Sequence, residues 1–388
     1  MNVFELDRTY VAGTYSRHPV QLVGGKGACL VDVDGKEYID LGSGIAVNVF
    51  GACDEKWQAA VTAQIGKLQH ASNLFYTEPC ARLAEMLCGR TGMKKVFFSN
   101  SGAESNECAI KAARRWATLK WGEEQRPVIV TLKNSFHGRT LATISATGQD
   151  SFHKDFGPFL PGFVHADPAA PGDLTRMVKE NPCCAVMIEC VQGEGGVLPL
   201  RAEFIEELKK VVAENDVLLI VDEVQTGNGR SGALYAYMNL GLAPDIVTTA
   251  KGIGGGLPLG VTMLGERVQD ALTPGTHGST FGGNPVSCAG ALSILERLDE
   301  ALFADVRRKS EYIIRELTGA KGVKSVTGMG LMLGIECERE AKDVLADCRA
   351  GGVLVLTAKT KIRLLPPLTI TMEQLEKAVK VLKEALAK

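Results

Sequence analysis

The sequence predicts an α/β fold, a mostly parallel sheet covered by helices on both faces together with a smaller α+β unit. Three observations carry that expectation. Short apolar runs, KKVFFSN (94–100), PVIVTL (127–132), CCAVMIEC (183–190), VLLIV (217–221) and DIVTTA (245–250), are separated by helical stretches, as in strands buried on both faces. The chain has 388 residues, more than one core usually serves, so two domains are expected. Apolar residues make up 45% and charged residues 23%, ordinary globular values that exclude a disordered chain.

The elements follow in order. QLVGGKGACLVDVDGKEYIDL (21–41) alternates apolar and polar residues, and Asp34-Gly35 suits a two-residue hairpin turn. Helical patterns cover Lys56–Gln69, Cys80–Gly89, Glu104 to about Lys120, and 202–214. After Asn284-Pro285 the texture changes to one long helical stretch from about Val286 to Leu317, the strand-like VKSVTGMGLMLGIEC, a helix near 340–350, the strands VLVL and KIRLLP, and a terminal helix at 372–387. The expected domains are therefore 46–285 as the large one and 286–388 as the small one, with 1–45 contributing to the small domain.

Charge and composition narrow the function. Forty-three basic residues balance 45 acidic ones without long runs, which leaves no nucleic-acid or membrane surface to expect. The N-terminus lacks a basic segment followed by an apolar one, and no apolar stretch has the length of a span, so the expected location is cytoplasmic. The 11 cysteines are an odd number without C-x-x-C spacing, which reads as reduced thiols and not as disulfides or a metal site. Glycine is the outlier: 43 residues, clustered without a collagen period, as tight turns and close backbone approach to a ligand require.

Three segments carry chemistry. In VLLIVDEVQTGNGR (217–230) an apolar strand runs into Asp222 and Glu223, and ligands of open α/β sheets bind at the carboxyl ends of strands. Asp222 alone reads equally well as a helix cap or a buried ion-pair partner. In DIVTTAKGIGGGLPLG (245–260) Lys251 ends another strand and precedes four clustered glycines; desolvation there makes it a candidate imine-forming nucleophile. In FFSNSGAESNECAIKAARRW (97–116) Ser101 and Glu104 have capping-box spacing, and the helix start offers N–H groups to a phosphate. Such caps are common and most bind nothing. Together, a lysine, a strand-end acid and a phosphate-binding helix start are what pyridoxal phosphate requires.

The segments SNLFYTEP (72–79), NSGAESNEC (100–108), SFHGRT (135–140), VQGEGGV (191–197), DEVQTGNGRSG (222–232), KGIGGGLPLG (251–260) and HGSTFGGNP (277–285) resemble, in order, those of the class III (subgroup II) pyridoxal-phosphate aminotransferases of fold type I. SNLFYTEP and HGSTFGGNP favour its acetylornithine branch. The resemblance implies a large domain built on a seven-stranded type of sheet and pyridoxal 5'-phosphate as cofactor. It implies that Lys251 links to the cofactor and moves the proton between substrate Cα and cofactor C4′. Asp222 would pair with the pyridinium nitrogen, Val224 and Phe136 would cover the two ring faces, and Gln225 would reach the ring hydroxyl. Gly102 and Ala103 would bind the phosphate with Thr280 of a partner subunit, so a homodimer with shared sites is implied. Glu223, beside Asp222, is included among the cofactor-binding residues.

Substrate recognition follows the same resemblance. Arg139 would hold the substrate α-carboxylate in the acylornithine half-reaction and Arg363 the glutamate α-carboxylate, arginine being suited to bidentate carboxylate binding. Glu194 would neutralise Arg363 when glutamate is absent, Ser279 matches a position near the substrate, and Tyr15 stands at the entrance. Phe136 read alone is a core residue, and for Arg363 a surface or structural ion pair is the alternative. The implied partners are acylated ornithine and 2-oxoglutarate or glutamate. Succinylornithine, succinyldiaminopimelate, ornithine and 4-aminobutyrate remain alternative donors, and an inactive binding protein of the same fold is the non-enzymatic alternative. Two departures stand out: Ala52, Asp54 and Glu55 replace a Gly-His-x-His-Pro run, and Cys190 follows Glu189 where the family usually has proline.

Overall fold

The computed structural model describes residues 1–388 and is built around a seven-stranded sheet. Its strands lie in the order Lys95–Ser99, Gly260–Leu264, Ile246–Thr249, Leu218–Asp222, Cys183–Ile188, Val128–Leu132 and Phe163–Ala166. All pairs are parallel except the two made by Gly260–Leu264, which runs against both neighbours. The apolar runs alternate between two cores, as the pleat requires. Ile129, Ala185, Met187, Leu218 and Ile220 face the helix Gly102–Trp121 and its Ala109, Ala113 and Trp116. Val130, Val186, Ile188, Leu219 and Val221 face the opposite core, which continues to Leu386. Each valine, leucine, isoleucine or methionine among them contributes about 1.5–3 kcal/mol by burial, so both covered faces anchor the strands whose ends carry the site.

The N-terminal strands Leu22–Lys26, Cys29–Asp32 and Glu37–Asp40 are completed by Val353–Leu354, parallel to Glu37–Asp40. A second four-stranded sheet takes Val323–Met329, Met332–Cys337, Lys361–Leu364 and Leu356–Ala358 in that order. The chain's two ends are thereby hydrogen-bonded to each other. No helix is long and apolar enough to cross a membrane.

Several expectations are corrected. The Cys29–Asp32/Glu37–Asp40 hairpin does not turn on Asp34-Gly35 alone. Gly35 N bonds to Asp32 O at 3.0 Å, and the Asp32 carboxylate accepts from Asp34 N and Lys36 N at 3.0 and 2.9 Å, so the loop is longer and held by a side chain. The long stretch after Val286 is two helices, Pro285–Leu295 and Glu300–Leu317. Asp299 restarts the second by accepting from Leu302 N at 2.9 Å. The helix expected over Lys56–Gln69 is Glu55–Ile65, ending at Gly66. Seven cysteines are buried, whereas Cys53 is exposed.

Candidate active site

A cavity of about 620 Å³ opens at the carboxyl ends of the parallel strands, bounded by Asp222, Val224, Lys251, Gly102, Arg139 and Glu189. This is the edge at which open α/β sheets bind ligands.

Asp222 ends its strand at 4% exposure. Its Oδ2 accepts from Asn106 Nδ2 at 2.7 Å and from His137 Nδ1 at 2.8 Å, and its Oδ1 from Val224 N at 3.0 Å. Three donors offset the cost of burying a carboxylate and fix its direction. The His137 bond makes Nδ1 the protonated ring nitrogen, while its buried Nε2 has no partner. Asn106 is held in turn, its Oδ1 accepting from Thr248 Oγ1 at 2.7 Å and its Nδ2 also donating to His137 O at 2.8 Å.

Lys251 follows Ile246–Thr249 and sits at φ +48°, left-handed backbone that a side chain rarely adopts. Asn228 holds this bend, its Nδ2 donating to Thr249 Oγ1 at 2.9 Å and Ala250 O at 3.2 Å. Removal from water lowers the Lys251 pKa, and nearby Glu194 opposes that shift. A depressed amine carries a larger neutral, nucleophilic fraction.

The helix Gly102–Trp121 begins at the same edge. Ser101 caps it, accepting from Glu104 N at 3.2 Å, and Glu104 reaches back to Asn100 N at 2.5 Å, one residue before the usual capping-box partner. Gly102 and Ala103 line the cavity and their N–H groups bond to no acceptor in the chain, an arrangement suited to phosphate. A Cβ on Gly102 would lie 2.6 Å from Val224 Cγ1, so glycine keeps this wall flat.

Two arginines stand at different points around the cavity. Arg139 lines it and rests on the rings of Phe152 and Phe136, 4.3 and 5.6 Å from their centroids. Arg363 is 4% exposed and paired through Nη1 with Glu194 Oε1 at 2.5 Å. Gln225 joins this pair, its Oε1 accepting from Arg363 at 3.1 Å and its Nε2 donating to Glu194 at 3.3 Å. The Arg363 charge lowers the Glu194 pKa against the opposing effect of burial.

The cavity thus gathers Lys251, Asp222, Gly102, Ala103, Phe136, Val224, Gln225, Arg139 and, at 75% exposure on its mouth, Tyr15. Glu194 and Arg363 adjoin it through Gln225. Glu223 is a correction: its side chain turns away from the cavity. Its Oε2 accepts from Thr226 Oγ1 at 2.5 Å and its Oε1 from Tyr237 N at 2.7 Å, because neighbours on a strand face opposite sides. Ser279 and Thr280 are not brought to Lys251 within the chain; they line a separate cavity of about 450 Å³ with Asn73, Tyr76 and His277. Sequence reasoning missed Asn106, His137 and Glu189. The first two lie within NSGAESNEC and SFHGRT, where a polar residue among glycines and apolar neighbours was their only signal.

Comparison with known proteins bears on this arrangement. The family profile described as aminotransferase class-III matches residues 10–386. The chain is 48% identical over 385 residues to the acetylornithine aminotransferase of Haemophilus ducreyi, covering 99% of this chain and 98% of that one. With the acetylornithine aminotransferase of Methanothermobacter thermautotrophicus it shares 42% identity, over 98% and 97% of the two chains. The ornithine aminotransferase structure from Toxoplasma gondii superposes with a TM-score of 0.94 at 32% identity, covering 99% and 93%. An N-acetylornithine aminotransferase from Stenotrophomonas maltophilia gives 0.86 at 34%, covering 99% and 98%. With a matching profile over nearly its whole length, the chain belongs to the class-III aminotransferases.

Proposed function

We propose that this chain transfers the δ-amino group of N2-acetyl-L-ornithine to 2-oxoglutarate, giving N-acetyl-L-glutamate 5-semialdehyde and L-glutamate in arginine biosynthesis, with pyridoxal phosphate as cofactor. The observation that carries this reading is the unequal arginine pair: Arg139 is free of any carboxylate, whereas Arg363 is masked by Glu194. An enzyme handling a monocarboxylate donor and a dicarboxylate acceptor in one cavity needs one permanent carboxylate site and one that opens on demand. The acetylornithine aminotransferases among its relatives agree with that demand.

The residues present fit the cofactor. Gly102 and Ala103 offer N–H groups without acceptors, Lys251 a desolvated amine, and Asp222 a carboxylate fixed by three donors. When bound, pyridoxal phosphate supplies an electron sink for the carbon that bears the amine. Asp222 holds a proton on a pyridine nitrogen placed beside it, since an ionised carboxylate stabilises the cation. Lys251 takes the proton from Cδ of the donor and, in the second half-reaction, returns one to Cα of glutamate. Val224 and Phe136 line the cavity and would cover the two faces of the ring. Arg139 holds the donor's carboxylate; Arg363 receives the α-carboxylate of glutamate once Glu194 swings away.

The reading includes a cytoplasmic homodimer in which Ser279 and Thr280 serve the partner's cavity. Support comes from their separate location and from the exposed Leu74, Phe75 and Tyr76 beside them, an apolar surface of the kind that subunit contacts bury. A panel of amino donors with 2-oxoglutarate tests the substrate. N-acetylornithine is expected to exceed ornithine and 4-aminobutyrate in kcat/KM by at least about tenfold, roughly 1.4 kcal/mol of transition-state binding. Equal or better use of either unacylated donor would reject the assignment.

A further inference from the structure

Two carboxylates line the cavity; Asp222 has a task above and Glu189 has none. Glu189 is 6% exposed, and its two oxygens hold backbone amides on two different loops. Oε1 accepts from Phe136 N at 2.8 Å and Oε2 from Gly193 N at 3.1 Å. Phe136 lies three residues before Arg139, and Gly193 directly precedes Glu194, the partner of Arg363. The loops are also tied by Gln192 Nε2 donating to Lys133 O at 2.8 Å. They touch at Gly195, where a Cβ would lie 2.5 Å from Asn134 O.

We propose that Glu189 is a positioning residue, a brace that fixes the loop carrying Arg139 against the loop carrying Glu194 and so sets the spacing of the two carboxylate-binding arms. Both of its oxygens are engaged by those amides. Only a carboxylate of this length answers both amides: glutamine offers one acceptor oxygen in place of two, and aspartate is one methylene short. A buried N–H left without an acceptor loses its hydrogen bond and the desolvation already incurred, so the loop that is released becomes mobile. Burial pushes the Glu189 carboxyl up to about 7, with His137 opposing and Asp222 adding to the shift.

This inference rests on the roles given to the arginines above, so its test has one arm that needs no substrate. Hydrogen exchange at the Phe136 and Gly193 amides is measured in wild type, Glu189→Gln, Glu189→Asp and Glu189→Ala, beside steady-state kinetics of the holoenzymes with N-acetylornithine and 2-oxoglutarate. Glu189→Gln is expected to speed exchange at one amide and Glu189→Ala at both, by about tenfold or more. KM for at least one substrate should rise about fivefold or more with kcat within about threefold, as for lost uniform binding. Glu189→Gln and Glu189→Asp decide the matter if the alanine variant does not fold. Unchanged exchange at both amides, or both KM values within about twofold of wild type, would overturn the brace. A wild type inactive on N-acetylornithine would sink the substrate assignment instead and leave the exchange measurement to judge Glu189.

Discussion

Asp222 and Glu223 are adjacent acids with opposite fates, and strand alternation explains both. One faces the cavity; the other is buried against Thr226 and Tyr237, where burial pushes its carboxyl from 4.5 up to about 7. Between those values the folded chain keeps a proton that the unfolded chain releases. The stability due to Glu223 is therefore fully present below about 4.5 and is lost as pH rises through about 7. Glu223→Gln removes this titration, so urea midpoints should show the variant gaining on wild type from pH 5 to pH 8; parallel curves would contradict the assignment. Alternation along DEVQ carries this difference, yet the resemblance put both acids at the cofactor. The bonds from Asn106 and His137 to Asp222 were not legible in the sequence, since they join residues 116 and 85 positions away. A second residue-scale prediction concerns Gly102: Gly102→Ala drives a Cβ against Val224, and should weaken cofactor retention by about tenfold, roughly 1.4 kcal/mol, with little change in far-ultraviolet circular dichroism.

At the scale of elements, caps decided how well sequence and structure agree. The terminal helix falls at Met372–Ala387 because Thr371 and Gln374 form a full capping box. The break after Leu295 went unread although Asp299 is a cap, because apolar periodicity continues through ILERLDEAL. Strand Gly260–Leu264 was not expected, because the glycine-rich segment read from the sequence ended at Gly260, and its pairing with Lys95–Ser99 and Ile246–Thr249 defines it. The departure at Asp54 has a structural use. Its Oδ1 caps Glu55–Ile65 by accepting from Trp57 N at 2.9 Å, and both oxygens meet the Arg297 fork at 2.8 and 2.9 Å. Asp54→Ala should cost about 2 kcal/mol in chemical denaturation, through the lost cap and charged pair. Asp54→Asn, which retains the cap, should cost about half as much.

For the whole molecule, five of the seven strands of the large sheet were readable from apolar runs, Phe163–Ala166 and Gly260–Leu264 were not, and the site was assembled from distant strand ends that periodicity cannot join. The Glu194–Arg363 pair spans 169 positions; the family resemblance, and no local signal, brought it to attention. The position of Ser279 and Thr280 away from Lys251 leads to a prediction about assembly. Lys251→Ala and Thr280→Ala chains, each impaired alone, should regain activity when mixed and refolded, because one site of the hybrid draws Lys251 and Thr280 from intact copies. Absence of any recovery would place Thr280 outside the partner's site. Whether Lys251 carries the cofactor through its amine is decided by borohydride reduction of the purified protein followed by peptide mass spectrometry. A pyridoxyl adduct is expected on Lys251 and none in Lys251→Ala; an adduct on another lysine, or none in wild type loaded with pyridoxal phosphate, would refute the role of Lys251.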